Sequence, residues 1–327
     1  MALSERGTVV VTGAGGFIGR ALVAHFGAAG RPFRASVRRR ESAPAPKAGF
    51  HAVDDLASAP DADLDAILAG ASAVVHLAGR AHVQREVARD PAAAYASANV
   101  VATERLARAA IRAGVRRFVF ASTVKVNGET SAPWRPFRPD DPPDPRDAYA
   151  QSKLAAEEAL VRACAGTPMA PIVLRLPLVY GPAVKANFAT LLDEVASERR
   201  LPLGAIRNRR SLLYVGNLVD AIDAALDVPT PPSGVHFVAD AESPSVPELL
   251  TATAAALGTE LHLMAVPAWI LEWGGRVVGL RAKVERLVGT LEVDTASFRA
   301  ATGWRPPHTL ADGLAATARW WKLRHSI

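Results

Sequence analysis

An apolar run, Thr8–Thr12, is followed at once by glycines at positions 13, 15, 16 and 19 and then by a helical pattern over Arg20–Gly30. That order constrains the fold more than any other feature of the chain. Gly13 suits a tight turn, and Gly16 leaves room for a pyrophosphate to approach the backbone. Gly19 lets a helix lie close on a sheet, while the helix N-terminus presents unpaired N–H groups to an anion. Gly15, Phe17 and Ile18 complete the candidate cradle. A glycine-rich turn without a ligand is the plain alternative, and the strand before and helix after argue against it.

The same alternation continues. Apolar strand patterns fall at Pro32–Val37, His51–Val53, Ala73–Ala78, Arg117–Ala121 and Pro171–Arg175. Helical patterns cover Ala92–Ala113 and Ala148–Ala163. Strands buried on both faces and separated by helices predict an α/β fold with a doubly wound parallel sheet. After Leu176 prolines and glycines shorten the pieces, with a strand at Leu212–Val215 and a helix at Val219–Leu226. The expected division is a dinucleotide-binding domain over 1–175, to which 212–240 returns. A smaller substrate-binding α/β region then takes 176–211 and 241–327. Residues Ser131–Asp147 form a proline- and charge-rich loop of the length that is usually functional or mobile.

Composition narrows the partners. Of 327 residues, half are hydrophobic, and 38 basic against 32 acidic side chains give a net charge of +6. The arginines are scattered and no aromatic residues interleave with them, which disfavours nucleic acid. The single cysteine, Cys164, excludes an intramolecular disulfide and a cysteine-based metal site, and no metal is expected. No apolar run is long enough for a membrane span, so a cytoplasmic, soluble protein is expected.

At the end of the second strand stands Arg38-Arg39-Arg40, where an NAD-specific site would place an acid. Arginine there suits a 2′-phosphate and favours NADP(H), with NAD(H) as the alternative; a solvated loop is the plain reading. Asp55 and Leu56, or the neighbouring Asp54, could meet the adenine. Leu77, Ala78 and Gly79 follow the fourth strand. Tyr149 and Lys153 stand four apart on one helix face, so an ammonium is expected beside a phenol, lowering its pKa toward working pH. Thr123, at the end of its strand, would meet the same substrate oxygen.

In this order the motifs TGAGGFIG (Thr12–Gly19), VVHLAG (Val74–Gly79), FVFAST (Phe118–Thr123), YAQSK (Tyr149–Lys153), LRLPLVYGP (Leu174–Pro182) and RSLLYVGNLVDA (Arg210–Ala221) resemble the extended short-chain dehydrogenase/reductases. The likeness is to their NAD-dependent epimerase/dehydratase (UDP-glucose 4-epimerase-like) branch. It implies a Rossmann-like fold, Tyr149 as acid/base, Lys153 on the nicotinamide ribose, Thr123 on the reacting oxygen and Asn99 in support. It also implies a UDP-sugar substrate, with Asn187, Arg210 and Arg286 on the diphosphate, and a homodimer. His82, Lys125 and Lys185 could shape sugar specificity. Family dehydratases carry an Asp-Glu pair where this chain has Val124-Lys125, which argues against dehydration. HLAGRAHV, STVKVNGE and VKANF resemble the subgroup of UDP-2-acetamido-2,6-dideoxy-4-hexulose reductases. The readings are thus an NADPH-dependent 4-ketoreductase for surface polysaccharide synthesis, a 4-epimerase with retained NAD, and, remotely, a non-catalytic dinucleotide sensor.

Overall fold

Valines alternate in β1 (Thr8–Thr12) so that Val9 and Val11 enter one apolar core and Val10 another, on the opposite face of the sheet. That period of two, with both faces buried, marks a strand covered by helices on each side. The structure, a computed structural model, describes residues 7–38, 49–81, 89–132, 134–277, 279 and 281–325. The first half continues through α1 (Phe17–Ala28), β2 (Phe33–Val37), β3 (Phe50–Ala52), α2 (Asp61–Leu68) and β4 (Ala71–His76). Then follow α3 (Pro91–Tyr95), α4 (Ala102–Arg112), β5 (Arg117–Thr123), α5 (Ala148–Cys164) and β6 (Ala170–Leu176).

The second half contains β7 (Leu178–Tyr180), α6 (Ala186–Ala196), β8 (Arg200–Leu201), β9 (Leu212–Tyr214), α7 (Val215–Asp227) and β10 (Gly234–Phe237). It ends with α8 (Val246–Leu257), β11 (His262–Leu263), α9 (Ala268–Val277), α10 (Arg281–Val288), α11 (Ala296–Thr302) and α12 (Leu310–His325). Seven strands form a parallel sheet in the order β10-β6-β5-β4-β1-β2-β3. The doubly wound expectation is therefore met. The order reverses between β1 and β4, and ligands of such sheets bind outside the carboxyl ends of the strands at that switch point.

One core lies between the sheet and α1 and α7, built on Leu22, Phe26, Leu218 and Ile222. The other lies under α2, α4 and α5, with Leu64, Leu106, Phe118, Phe120 and Leu160 fully buried. Each such side chain contributes about 1.5–3 kcal/mol of transfer free energy. A third cluster, around Tyr180, Phe188, Leu192, Leu250 and Leu314, packs α6, α8 and α12 together.

Three differences from the pattern reading bear on the site. Helix α1 begins at Phe17 rather than Arg20, because Gly16 already serves as its N-cap. The strand expected to reach Ala78 ends at His76. The single helix expected over Ala92–Ala113 is three pieces, with a π-helical turn at Ala96–Val101 between α3 and α4. Hydrophobic periodicity does not register one wide turn inside an otherwise regular helix.

Candidate functional site

The turn after β1 is built as the glycines require. Gly13 has φ +71°, and a Cβ there would meet the backbone of Ala78 at 2.6 Å. A Cβ at Gly19 would stand 2.2 Å from the carbonyl oxygen of Gly13, so α1 can approach the turn only through glycine. Gly16 is exposed, and its Cβ position meets nothing nearer than the Gly13 oxygen at 3.2 Å. No side chain caps the N-terminus of α1, so its first N–H groups face outward. Arg20 Nε donates to the Gly15 carbonyl at 2.9 Å and pins the turn from the helix side.

Beside this turn a cavity of about 200 Å³ opens at the strand ends. Ile18 of α1 and Leu77, Ala78 and Gly79 of the β4 exit form one wall; Ser122, Thr123, Tyr149 and Lys153 form another. Asn99 also reaches the cavity, and its amide is fully engaged. Its Oδ1 accepts from Arg80 N at 2.7 Å, and Nδ2 donates to Arg80 O at 3.1 Å and Ser152 Oγ at 2.9 Å. The π-helical turn thus ties the β4 exit to α5, and Asn99 acts by holding two walls together.

Helix α5 is started by Asp147, whose Oδ1 accepts from Ala150 N at 2.7 Å. Tyr149 in its first turn lines the cavity together with Thr123, which is near enough to draw the phenol's pKa down. Burial, followed by the nearby Asp147 charge, pushes the phenol up to about 12 against the pull of Thr123. The lowering expected from Lys153 is therefore corrected: the phenol is raised, by burial above all, and Lys153 is not among the groups that shift it. Lys153 is 6% exposed, and burial lowers its ammonium to about 7, with Glu157 pulling the other way. Its Nζ lies 3.9 Å from the ring centroid of Phe120 and has no hydrogen-bond acceptor among the described residues. His76 also meets Phe120, stacked at 5.6 Å and fixed by hydrogen bonds to Thr12 (2.6 Å) and Thr103 (3.1 Å). Burial, with Lys153 nearby, holds that imidazole down at about 3, so it stays neutral.

Behind the cavity lies a network that motif reading missed. Arg175 Nη2 meets Glu157 Oε2 at 2.6 Å, with both side chains 4% exposed. Glu157 also accepts from Ser122, and Arg175 Nη1 donates to Asn127 Oδ1 at 2.9 Å. The signals were present: a charge four residues past Lys153 on the same helix face, and one arginine inside the apolar run Ala170–Leu176.

The remaining candidates lie apart from the cavity. Arg38 is exposed at the end of β2; Arg39, Arg40 and His82 fall outside the described residues. The Asp55 carboxylate accepts from Ala57 N (3.0 Å) and Ser58 Oγ (3.1 Å). Leu56 is buried in the core and leaves only its backbone to a ligand. Lys125 does not line the cavity; it is paired with Glu129 at 2.9 Å and Asp147 at 2.8 Å. Asn187 is exposed in the first turn of α6, and Lys185 is exposed just before it. Arg210 and Arg286 do come together, since Arg210 Nη1 donates to the Arg286 carbonyl at 2.7 Å and Arg286 Nη1 faces Glu129 at 3.4 Å. Burial lowers the Arg210 pKa, with Glu129 opposing. A larger hollow, about 430 Å³ beside α11, gathers no such chemistry.

Known proteins share this arrangement of sequence and fold. Residues 9–239 match the NAD dependent epimerase/dehydratase family. The chain is 37% identical over 268 residues to a UDP-glucose 4-epimerase of Vibrio cholerae, covering 82% of this chain and 81% of that one. It is 30% identical over 326 residues to a dTDP-6-deoxy-L-talose 4-dehydrogenase (NAD(P)(+)) of Kitasatospora kifunensis, covering 94% and 93%. Among solved structures, MoeE5 in complex with UDP-glucuronic acid and NAD superposes with a TM-score of 0.75 at 27% identity, over 98% of this chain and 100% of that one.

Proposed function

Because this chain belongs to the NAD dependent epimerase/dehydratase family, we propose that it performs oxidoreduction at C4 of a UDP-linked hexose, as an NADPH-dependent reductase of a 4-ketosugar. The observation that carries the reading is the meeting of Thr123, Tyr149 and Lys153 on one cavity beside the glycine turn. The residues fit a nicotinamide dinucleotide. The open N-terminus of α1 would take the pyrophosphate, and Lys153, whose ammonium lacks an acceptor among the described residues, would take the ribose hydroxyls. Exposed Arg38 would bind a 2′-phosphate as a charge-assisted pair. A cofactor bound there supplies the hydride.

The protein's own part is the proton. A phenol held at about 12 keeps its proton at neutral pH, so Tyr149 is set to donate one to O4 as that oxygen gains charge. Thr123, on the same cavity, would orient the same oxygen. Arg210 and Arg286 would grip the diphosphate, with Asn187 beside them. Val124 and Lys125 supply no carboxylate for removing water, so dehydration is not part of the reading.

A second reading, 4-epimerisation, is favoured by the likeness to the Vibrio cholerae UDP-glucose 4-epimerase. It uses the same residues and requires the cofactor to stay bound while the ketosugar turns over. The deciding experiment offers NADPH with UDP-2-acetamido-2,6-dideoxy-4-hexulose, and separately UDP-glucose and UDP-N-acetylglucosamine without added cofactor. Stoichiometric NADPH loss with the ketosugar is expected. Interconversion of UDP-glucose and UDP-galactose, or of the N-acetyl pair, without NADPH loss would establish the epimerase.

A further inference from the structure

Helix α9 has two unlike faces. Leu271 packs against the core that holds α6, α8 and α12, and Gly275, one turn on, is buried. On the outer side Trp269, Trp273 and Val277 follow at intervals of four, 68%, 66% and 67% exposed. Spacing of four places them in one stripe, and Ile270 widens it at 39% exposed. More than half of the exposed large apolar side chains among the described residues lie between Met264 and Leu287. An exposed cluster of this kind marks a contact surface.

The charge around the stripe says what covers it. From Met264 to Val288 the sequence carries Arg276, Arg281, Lys283 and Arg286 against Glu272 and Glu285; Arg281 is paired with Glu285 and Arg286 with Glu129. Arg276 is exposed and has no ion-pair partner among the described residues. Two tryptophans one turn apart, an aliphatic residue on the next turn and an arginine at the edge match an interfacial helix on an anionic leaflet. The indoles sit at the headgroup boundary and the guanidinium meets lipid phosphate.

We infer that the outer face of α9 seats this protein on the surface of an anionic lipid bilayer, through Trp269, Trp273 and Val277 with Arg276 at the rim. The helix lies in the interface and does not cross it; among the described residues no helix is long and apolar enough to span a membrane. Helix α10 packs on α9, and near its end the Arg286 carbonyl accepts from Arg210. The contact is independent of which C4 reaction the cavity performs.

The test is flotation of the whole chain with vesicles of phosphatidylcholine containing a minority of phosphatidylglycerol, and with phosphatidylcholine alone. Binding to the anionic vesicles that weakens with added salt is expected, together with quenching of tryptophan fluorescence by brominated acyl chains. Trp269→Ser/Trp273→Ser should lower vesicle affinity about tenfold or more, with turnover of a water-soluble substrate unchanged. Arg276→Glu should lower it about fivefold. Absence of vesicle binding by the native chain, or equal binding by the double variant, would overturn the inference. A vesicle-free dimer that the double variant splits into monomers would assign the face to a second copy instead.

Discussion

Glu157 stands one helical turn beyond Lys153 on α5 and closes a buried ion pair with Arg175 on β6 at 2.6 Å. The strand that bears Arg175 pairs directly with the one that ends in Ser122 and Thr123. One carboxylate therefore braces the helix carrying Tyr149 and Lys153 against the strand carrying Thr123. Glu157→Gln leaves Arg175 buried without its counter-charge, and removing one partner of such a pair costs about 3–5 kcal/mol. Chemical denaturation should show that loss. Glu157→Leu combined with Arg175→Met should recover most of it, and a Glu157→Gln chain as stable as the native one would mean the brace is unimportant.

Tyr149→Phe keeps the ring and its packing but removes the proton donor. Turnover should fall by roughly 10²–10⁴-fold while the thermal midpoint and the affinity for nucleotide sugar stay near native values. Steady-state kinetics at saturating substrate, paired with a melting curve, separates a chemical role from a structural one. Near-normal turnover would remove Tyr149 from the proton step.

The 2′-phosphate preference rests on the exposed end of β2. A charge-assisted contact there is worth about 1.5–3 kcal/mol, which is roughly a tenfold to hundredfold advantage for NADP(H). Calorimetric titration of the native chain and of Arg38→Ala/Arg39→Ala with both cofactors should show a selective loss for NADP(H). Equal affinities in the native chain would return the choice to NAD(H) and strengthen the epimerase reading.

Asp240 gives the fold a pH signature. Its carboxylate accepts from Tyr214 N at 2.9 Å and Asn217 Nδ2 at 2.7 Å, yet burial raises it from 3.8 to about 6. A raised carboxyl pKa means the native state holds a proton that the unfolded chain has released. Stability contributed by this group therefore falls as pH rises from about 4 to about 6 and is flat above. Urea melts across that window should show the slope. Asp240→Asn, though less stable because its amide turns a donor toward Tyr214 N, should lose the slope, and an unchanged slope would place its origin elsewhere.

The parallel sheet and the glycine turn were legible because each leaves a local mark: continuous apolar strands, and glycines whose Cβ positions are occupied by backbone. The Tyr149–Lys153 spacing was legible for the same reason, as both lie on one short helix. The direction of the Tyr149 pKa was not. Spacing reports which neighbour shares a face, whereas the shift is decided by how much water the completed cavity excludes. Lys125 illustrates a second limit. Its neighbour Glu129 is one turn away in sequence, but Asp147 arrives through a long loop, and only that closure shows the ammonium to be held. The brace between Glu157 and Arg175 likewise joins residues whose pairing depends on β6 lying beside β5.

The π-helical turn at Ala96–Val101 amounts to one residue more than a regular helix of that span would need. It lets the segment satisfy two unrelated phase requirements. The residues after it keep Leu106 and Ala110 in the core, while Asn99 within it faces Arg80 and Ser152. Excising a single residue from this stretch would restore an uninterrupted helix and turn everything before the cut by about 100° about the axis. The gain in helical regularity would come with Tyr95 carried away from the Ala81 carbonyl to which it donates. Length variation here is therefore confined to changes that preserve the extra residue, and an aligned gap at these positions in a homologue would signal a differently assembled cavity wall.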